Sequence, residues 1–124
     1  MTNMTPKEAY NFVVNLGLKR DQRSEEIIMT DPIWAYRYAR DIIKGRWTEA
    51  EPYIMTDPEW AYRYARYIIK DRFPEAEPYI MKDVGWAYMY AQDIIKGRWL
   101  EGEPYIMEDS FWWDIYKSRF DINE

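Results

Sequence analysis

Apolar residues follow a helical rhythm that restarts at a fixed interval. From Trp34 the apolar positions are Trp34, Ala35, Tyr38, Ala39, Ile42 and Ile43. At about 100° per residue they fill an arc of about 180° on a helix. That is wider than a helix lying on one neighbour needs. It suits a helix wedged between a preceding neighbour, a following neighbour and its own partner. Alanines recur within the arc: Ala35, Ala61 and Ala87 at one level, Ala39, Ala65 and Ala91 at the next. Small side chains permit a short axis separation, so these positions predict the helix crossings. No alternation of period two occurs, and no strand is predicted.

The polar residues between the runs predict the boundaries. Each long helix opens at Asp31-Pro32 or Asp57-Pro58. Aspartate is a good N-cap, and proline next to it loses an N–H that had no partner anyway. Thr5, Pro6 and Glu8 predict a capping box at the first helix. The helix is expected to end near Lys44-Gly45, with Gly45 as a left-handed C-cap and Asp71 as a poorer substitute in the next copy. A turn through Arg46-Trp47 then leads to a short helix over about 48–55, with Ala50, Tyr53 and Ile54 as its apolar face. Pro52, Pro78 and Pro104 fall in or near its first turn, so the pattern leaves open whether it starts before or at the proline.

This two-helix pattern is a tandem repeat. Residues 57–82 match 31–56 at 20 of 26 positions, and residues 83–108 match 31–56 at 19 of 26. A divergent first copy, 5–30, keeps the phase without a gap: Ala9-Tyr10 falls under Ala35-Tyr36, Phe12 under Tyr38, Leu16 under Ile42, Arg20 under Arg46 and Glu25 under Glu51. A half copy, 109–120, places Trp112 under Trp34, Tyr116 under Tyr38 and Phe120 under Ile42. The expected fold is all-α: a single-domain, right-handed α-solenoid of four 26-residue helix-turn-helix repeats plus a C-terminal capping helix. Layers of unequal helices should give it a concave side.

Composition narrows the chemistry. The 124 residues include twelve Tyr and seven Trp, which recur because each copy needs the same packing pieces. There is no Cys and no His, which removes disulfides, thiol nucleophiles, imidazole bases and the usual transition-metal ligands. Phosphate loops and serine-nucleophile motifs are absent, and the carboxylates are too numerous to single out a pair. A non-enzymatic protein without cofactor or metal is expected. The segment MTNMTPKEAYNF lacks the apolar core of a signal peptide, and no apolar run reaches the length of a membrane span. The expected location is cytoplasmic. A net charge of −5 disfavours attraction to nucleic acid or anionic membrane, while leaving an acidic mimic of DNA as an alternative.

Charge also repeats. Arg20, Arg46, Arg72 and Arg98 recur once per copy, each five residues before Glu25, Glu51, Glu77 or Glu103. Pairing that holds the turn is the favoured reading, because the ladder persists even in the divergent copy. On the long helices Arg37, Arg40 and Lys44, then Arg63, Arg66 and Lys70, form a basic stripe edged by Tyr36 and Tyr62; Met89 and Gln92 break it in the next copy. Tyr36, Arg37, Arg40, Tyr62, Arg63 and Arg66 are the candidate partner-binding residues, and weak nucleic-acid binding through this stripe stands beside the DNA mimic as the nucleic-acid alternative. Acidic residues gather at the turns and short helices, so the array is expected to be electrically two-sided.

The units WAYRYARDIIKGRWTEAEPYI and EWAYRYARYIIKDRFPEAEPYI resemble a short repeat of tailed-phage and bacterial proteins of unassigned function, with the pattern D-P-x-x-A-Y-x-Y-A-x-x-I-I-K-G-R-W-P-E-A-E. The resemblance covers 31–108 closely and 5–30 loosely. It implies a helical solenoid, a phage source and contact with a protein partner, such as a host protein of a restriction or CRISPR system. It carries no catalytic residues. In the half copy Trp113 stands where the full copies have alanine, and Phe111, Trp113 and Ile115 have no evident cover. These three are the candidate interface of a homodimer; a purely structural homo-oligomer is a further alternative.

Overall fold

The computed structural model of the chain describes residues 3–123. Among these residues it is all-helical, with no strands. The long helices are α1 (Pro6–Leu16), α3 (Pro32–Tyr38), α5 (Pro58–Tyr64), α7 (Val84–Tyr90) and α9 (Ser110–Arg119). Between them lie the short helices α2 (Gln22–Ile28), α4 (Glu51–Ile54), α6 (Glu77–Ile80) and α8 (Glu103–Ile106).

The long helices start as their caps dictate. Asp31 accepts from the Ile33 and Trp34 N–H groups, and Asp57 from those of Glu59 and Trp60. Thr5 and Glu8 form the reciprocal capping box. The other end differs from expectation. Helices α3, α5 and α7 widen into π-turns over Ala39–Ile43, Ala65–Ile69 and Ala91–Ile95. Each is closed by a lysine, not a glycine: Lys44, Lys70 and Lys96 are left-handed, with φ 62°. Their N–H groups bond Ala39, Ala65 and Ala91 carbonyls at 2.7 Å. The wider i→i+5 ring places the reversal one residue before Gly45. Gly45 and Gly97 have no positive φ, which is why Asp71 fits the same place without strain. Helix α1 has no π-turn and ends on Gly17 at φ 65°.

The short helices are briefer than the expected 48–55. Helix α4 is one turn, beginning at Glu51 with Pro52 second, and α6 and α8 repeat this. Helix α2 runs for seven residues because Glu26 stands where the later copies have proline.

Each long helix packs on the next, α1 on α3, α3 on α5, α5 on α7 and α7 on α9. Each short helix touches its own long helix and the one that follows. The chain thus forms a layer of long helices with a row of short ones along it. Ala35, Ala39, Ala61, Ala65, Ala87 and Ala91 are fully buried at the crossings, as their size predicts. Trp47, Phe73 and Trp99, with Ile28, Ile54, Ile80 and Ile106, fill the space between layers. Phe12 and Leu16 of α1 are exposed. No helix is long and apolar enough to cross a membrane among the described residues.

Candidate functional site

The Arg and Glu ladders meet within each copy. Arg20, Arg46, Arg72 and Arg98 bind Glu25, Glu51, Glu77 and Glu103 through paired bonds of 2.8–2.9 Å. The following copy adds a third group. The Tyr38 hydroxyl donates to Glu25, Tyr64 to Glu51, Tyr90 to Glu77 and Tyr116 to Glu103, at 2.6–2.8 Å. The same hydroxyls accept backbone N–H groups of Asp21, Trp47, Phe73 and Trp99. All four tyrosines are fully buried. Every joint therefore carries one polar latch of identical construction.

Burial and the latch shift these groups in opposite senses. Burial pushes the Glu25, Glu51 and Glu77 carboxyls up, but hydrogen bonds from arginine and tyrosine outweigh it, and each titrates below its ordinary range. At Glu103 the Arg98 bond is the largest influence, in the same net direction. Burial first, and the neighbouring carboxylate second among the raising causes, push the Tyr38 hydroxyl up to about 12. Tyr64, Tyr90 and Tyr116 are raised further for the same reasons.

The expected basic stripe is altered in two respects. Tyr36 and Tyr62 are not at its edge; they are only 5% and 3% exposed. The Trp60 and Trp86 rings of the following copies lie 5.4 and 5.3 Å away and cover them. The four arginines reach the surface together with Lys44 and Lys70, and three of the arginines are held by carboxylates. Arg40 binds Asp41 at 2.7 Å, Arg63 binds Glu59 at 3.0 Å, and Arg66 binds Asp93 at 3.2 Å. Arg37 lies over the Trp34 ring at 4.6 Å. Tyr10 donates to Asp41, and Tyr62 to Asp93, so these carboxylates also tie successive copies together. Three of the stripe's six basic residues are thus paired within the chain.

The expected oligomer interface also contracts. Trp113 is 8% exposed, stacked on Tyr116 at 5.4 Å with Lys117 over its ring. Ile115 is half-buried against the core. Helix α9 thus turns Trp113 and Tyr116 into the core. Phe111 alone of the three stays out, at 64% exposed.

The short-helix row holds residues that the hydrophobic pattern misassigns. Tyr53, Tyr79 and Tyr105 do not belong to a buried face; they are 42%, 39% and 40% exposed. A one-turn helix has room to bury one narrow stripe, and Ala50 and Ile54, four apart, occupy it. The i, i+4 spacing of those two residues is the signal that separates Tyr53 from them. Glu49, Glu75 and Glu101 are exposed four residues before these tyrosines.

Comparison with protein-family models, with curated proteins and with solved structures gave no match.

Proposed function

We propose that this chain is a non-enzymatic binding protein, an α-solenoid of four 26-residue helix-turn-helix units (5–30, 31–56, 57–82, 83–108) closed by the helix of 109–120. The observation that carries this reading is the latch, repeated at every joint with the same three side chains and tyrosine–carboxylate distances of 2.6–2.8 Å. A joint of fixed construction sets successive copies at a fixed pitch, so surface residues recur in register, as a partner-binding array requires. The resemblance to phage and bacterial repeats supports a protein of the bacterial host as the partner, with the chain acting as a phage-encoded antagonist of host machinery. Neutralisation of Arg40, Arg63 and Arg66 by carboxylates argues against direct nucleic-acid binding. The test is affinity capture from a bacterial lysate, with and without nuclease, read by mass spectrometry. A saturable protein partner retained after nuclease treatment is expected. Capture that vanishes with nuclease, or no specific capture, overturns the reading.

A further inference from the structure

The three full copies can be compared with one another at positions the fold leaves exposed. Two such positions vary freely: Thr48, Pro74 and Leu100 differ, as do Thr56, Lys82 and Glu108. Others do not vary, among them Glu49, Glu75 and Glu101, which are identical, and Tyr53, Tyr79 and Tyr105, which are identical too. The variable positions flank the invariant ones on the same turn and short helix. Repeated identity at the buried, N-capping and latch positions follows from those roles. It is not so explained here, because these tyrosines are about two-fifths exposed and their hydroxyls make no hydrogen bond among the described residues.

Charge identifies what would meet them. At each joint the arginine is already satisfied by its latch carboxylate, as Arg20 is by Glu25 and Arg72 by Glu77. Glu49, Glu75 and Glu101 are exposed and form no ion pair among the described residues, so each turn carries a carboxylate beyond the one its arginine holds. An exposed aromatic ring beside an excess carboxylate is complementary to a guanidinium, which stacks on the one and pairs with the other. The chain itself shows this arrangement on its opposite layer. Arg63 lies 5.1 Å over Trp60 while bound to Glu59 at 3.0 Å, and Arg40 lies 5.5 Å over Tyr36 while bound to Asp41 at 2.7 Å.

Spacing identifies the partner's shape. Long helices that cross on alanine lie about 8–10 Å apart, and each short helix rides between two of them, so the row shares that pitch. A polyproline II segment rises about 3.1 Å per residue and repeats every three residues, about 9 Å, along one face. We propose that the row of Glu49 with Tyr53, Glu75 with Tyr79, and Glu101 with Tyr105 is a docking ridge for an extended protein segment bearing an arginine at every third residue. The proposal rests on the binding-protein reading and names the surface and partner chemistry for it.

The test uses the full chain and fluorescent peptides of equal composition and charge, with three arginines spaced every third residue in one and contiguous in the other. Fluorescence anisotropy at physiological salt should show the spaced peptide binding at least tenfold more tightly. Tyr53→Ala, Tyr79→Ala and Tyr105→Ala combined should lose that binding about tenfold or more while keeping the helical circular dichroism spectrum. Glu49→Gln, Glu75→Gln and Glu101→Gln combined should weaken it and flatten its salt dependence. Equal affinity for both peptides, no binding at millimolar peptide, or an unaffected triple tyrosine variant overturns the ridge. A lysate partner held equally by wild type and the tyrosine variant overturns the ridge while leaving the binding-protein reading intact. A partner lost with the tyrosines but not displaced by the spaced peptide overturns the arginine assignment alone.

Discussion

The Tyr64 hydroxyl donates to Glu51 at 2.6 Å while accepting the Trp47 N–H at 2.7 Å, so one oxygen joins a long helix to the turn and short helix before it. Tyr64→Phe leaves both partners in place without it. The Trp47 N–H bond is buried, so the desolvation penalty is felt in full. The expected loss is about 1–3 kcal/mol in chemical denaturation, with helix content kept. Tyr53→Phe, at an exposed hydroxyl, should stay within about 0.5 kcal/mol of wild type. Equal effects for the two would remove the latch from the account of stability.

The latch also sets the pH range of stability. Glu25, Glu51, Glu77 and Glu103 titrate lower in the folded chain than in the unfolded one. Their contribution is complete above the unfolded carboxylate value of about 4.3 and disappears as pH falls through the folded values. Tyr38, raised to about 12, and the further-raised Tyr64 act in the opposite sense. Their contribution is complete below the unfolded value of about 10 and is lost as pH rises through the folded values. With no histidine in the chain, unfolding free energy should be nearly flat between about pH 6 and 9 and fall on both sides. A steep slope within that range would contradict the assignment.

Much of this was legible because it depends on neighbours close in sequence. Asp31 caps the helix that follows it, Arg46 pairs with Glu51 five residues on, and alanine at a crossing needs only the helical period. The latch tyrosines were legible only as buried rings. Their hydroxyl partners lie 13 and 17 residues back in the preceding copy, and periodicity identifies a face without its reach. Tyr36 fails as a surface residue for the same reason, since its cover is Trp60 of the next copy. The π-turn moved the left-handed residue from Gly45 to Lys44, a one-residue change that composition does not mark. Trp113 could not be placed from the pattern, because the full copies have alanine at that position and offer no precedent for how a tryptophan packs there.

Lysine at φ 62° is strained by contact between its Cβ and the backbone, and glycine is not. Lys70 is exposed, so its side chain contributes little that glycine would forfeit. Lys70→Gly should therefore raise stability by about 0.5–1 kcal/mol, the relief exceeding the greater chain entropy of glycine in the unfolded state. Asp71→Gly, at the position where the reversal was expected, should bring no gain. Denaturant midpoints of the two variants discriminate the lysine and glycine cap positions directly.

Trp47 and Trp99 bury an indole N–H without a hydrogen-bond partner, while the equivalent Phe73 has no such group. Trp99→Phe relieves an unpaired donor as it removes part of a ring, and the two effects oppose each other. The net change should be under about 1.5 kcal/mol, against about 3–5 kcal/mol for Phe73→Ala, which only empties space. A large loss in Trp99→Phe would mean that the indole N–H is paired after all.

Phe111 and Trp113 are two residues apart and have opposite surroundings, one 64% and the other 8% exposed. They separate the cap from any interface. Trp113→Glu would bury a carboxylate against Tyr116 and uncover the end of the array. It should cost more than about 3 kcal/mol and melt α9 first, seen as loss of tryptophan near-ultraviolet signal before helix signal. Phe111→Glu should leave stability within about 0.5 kcal/mol, because its ring touches little beyond the edge of Trp112. If the protein self-associates through this end, Phe111→Glu is the variant that should lower its sedimentation coefficient while the fold stays intact. A Trp113→Glu chain of wild-type stability would show instead that the tryptophan lies outside the core.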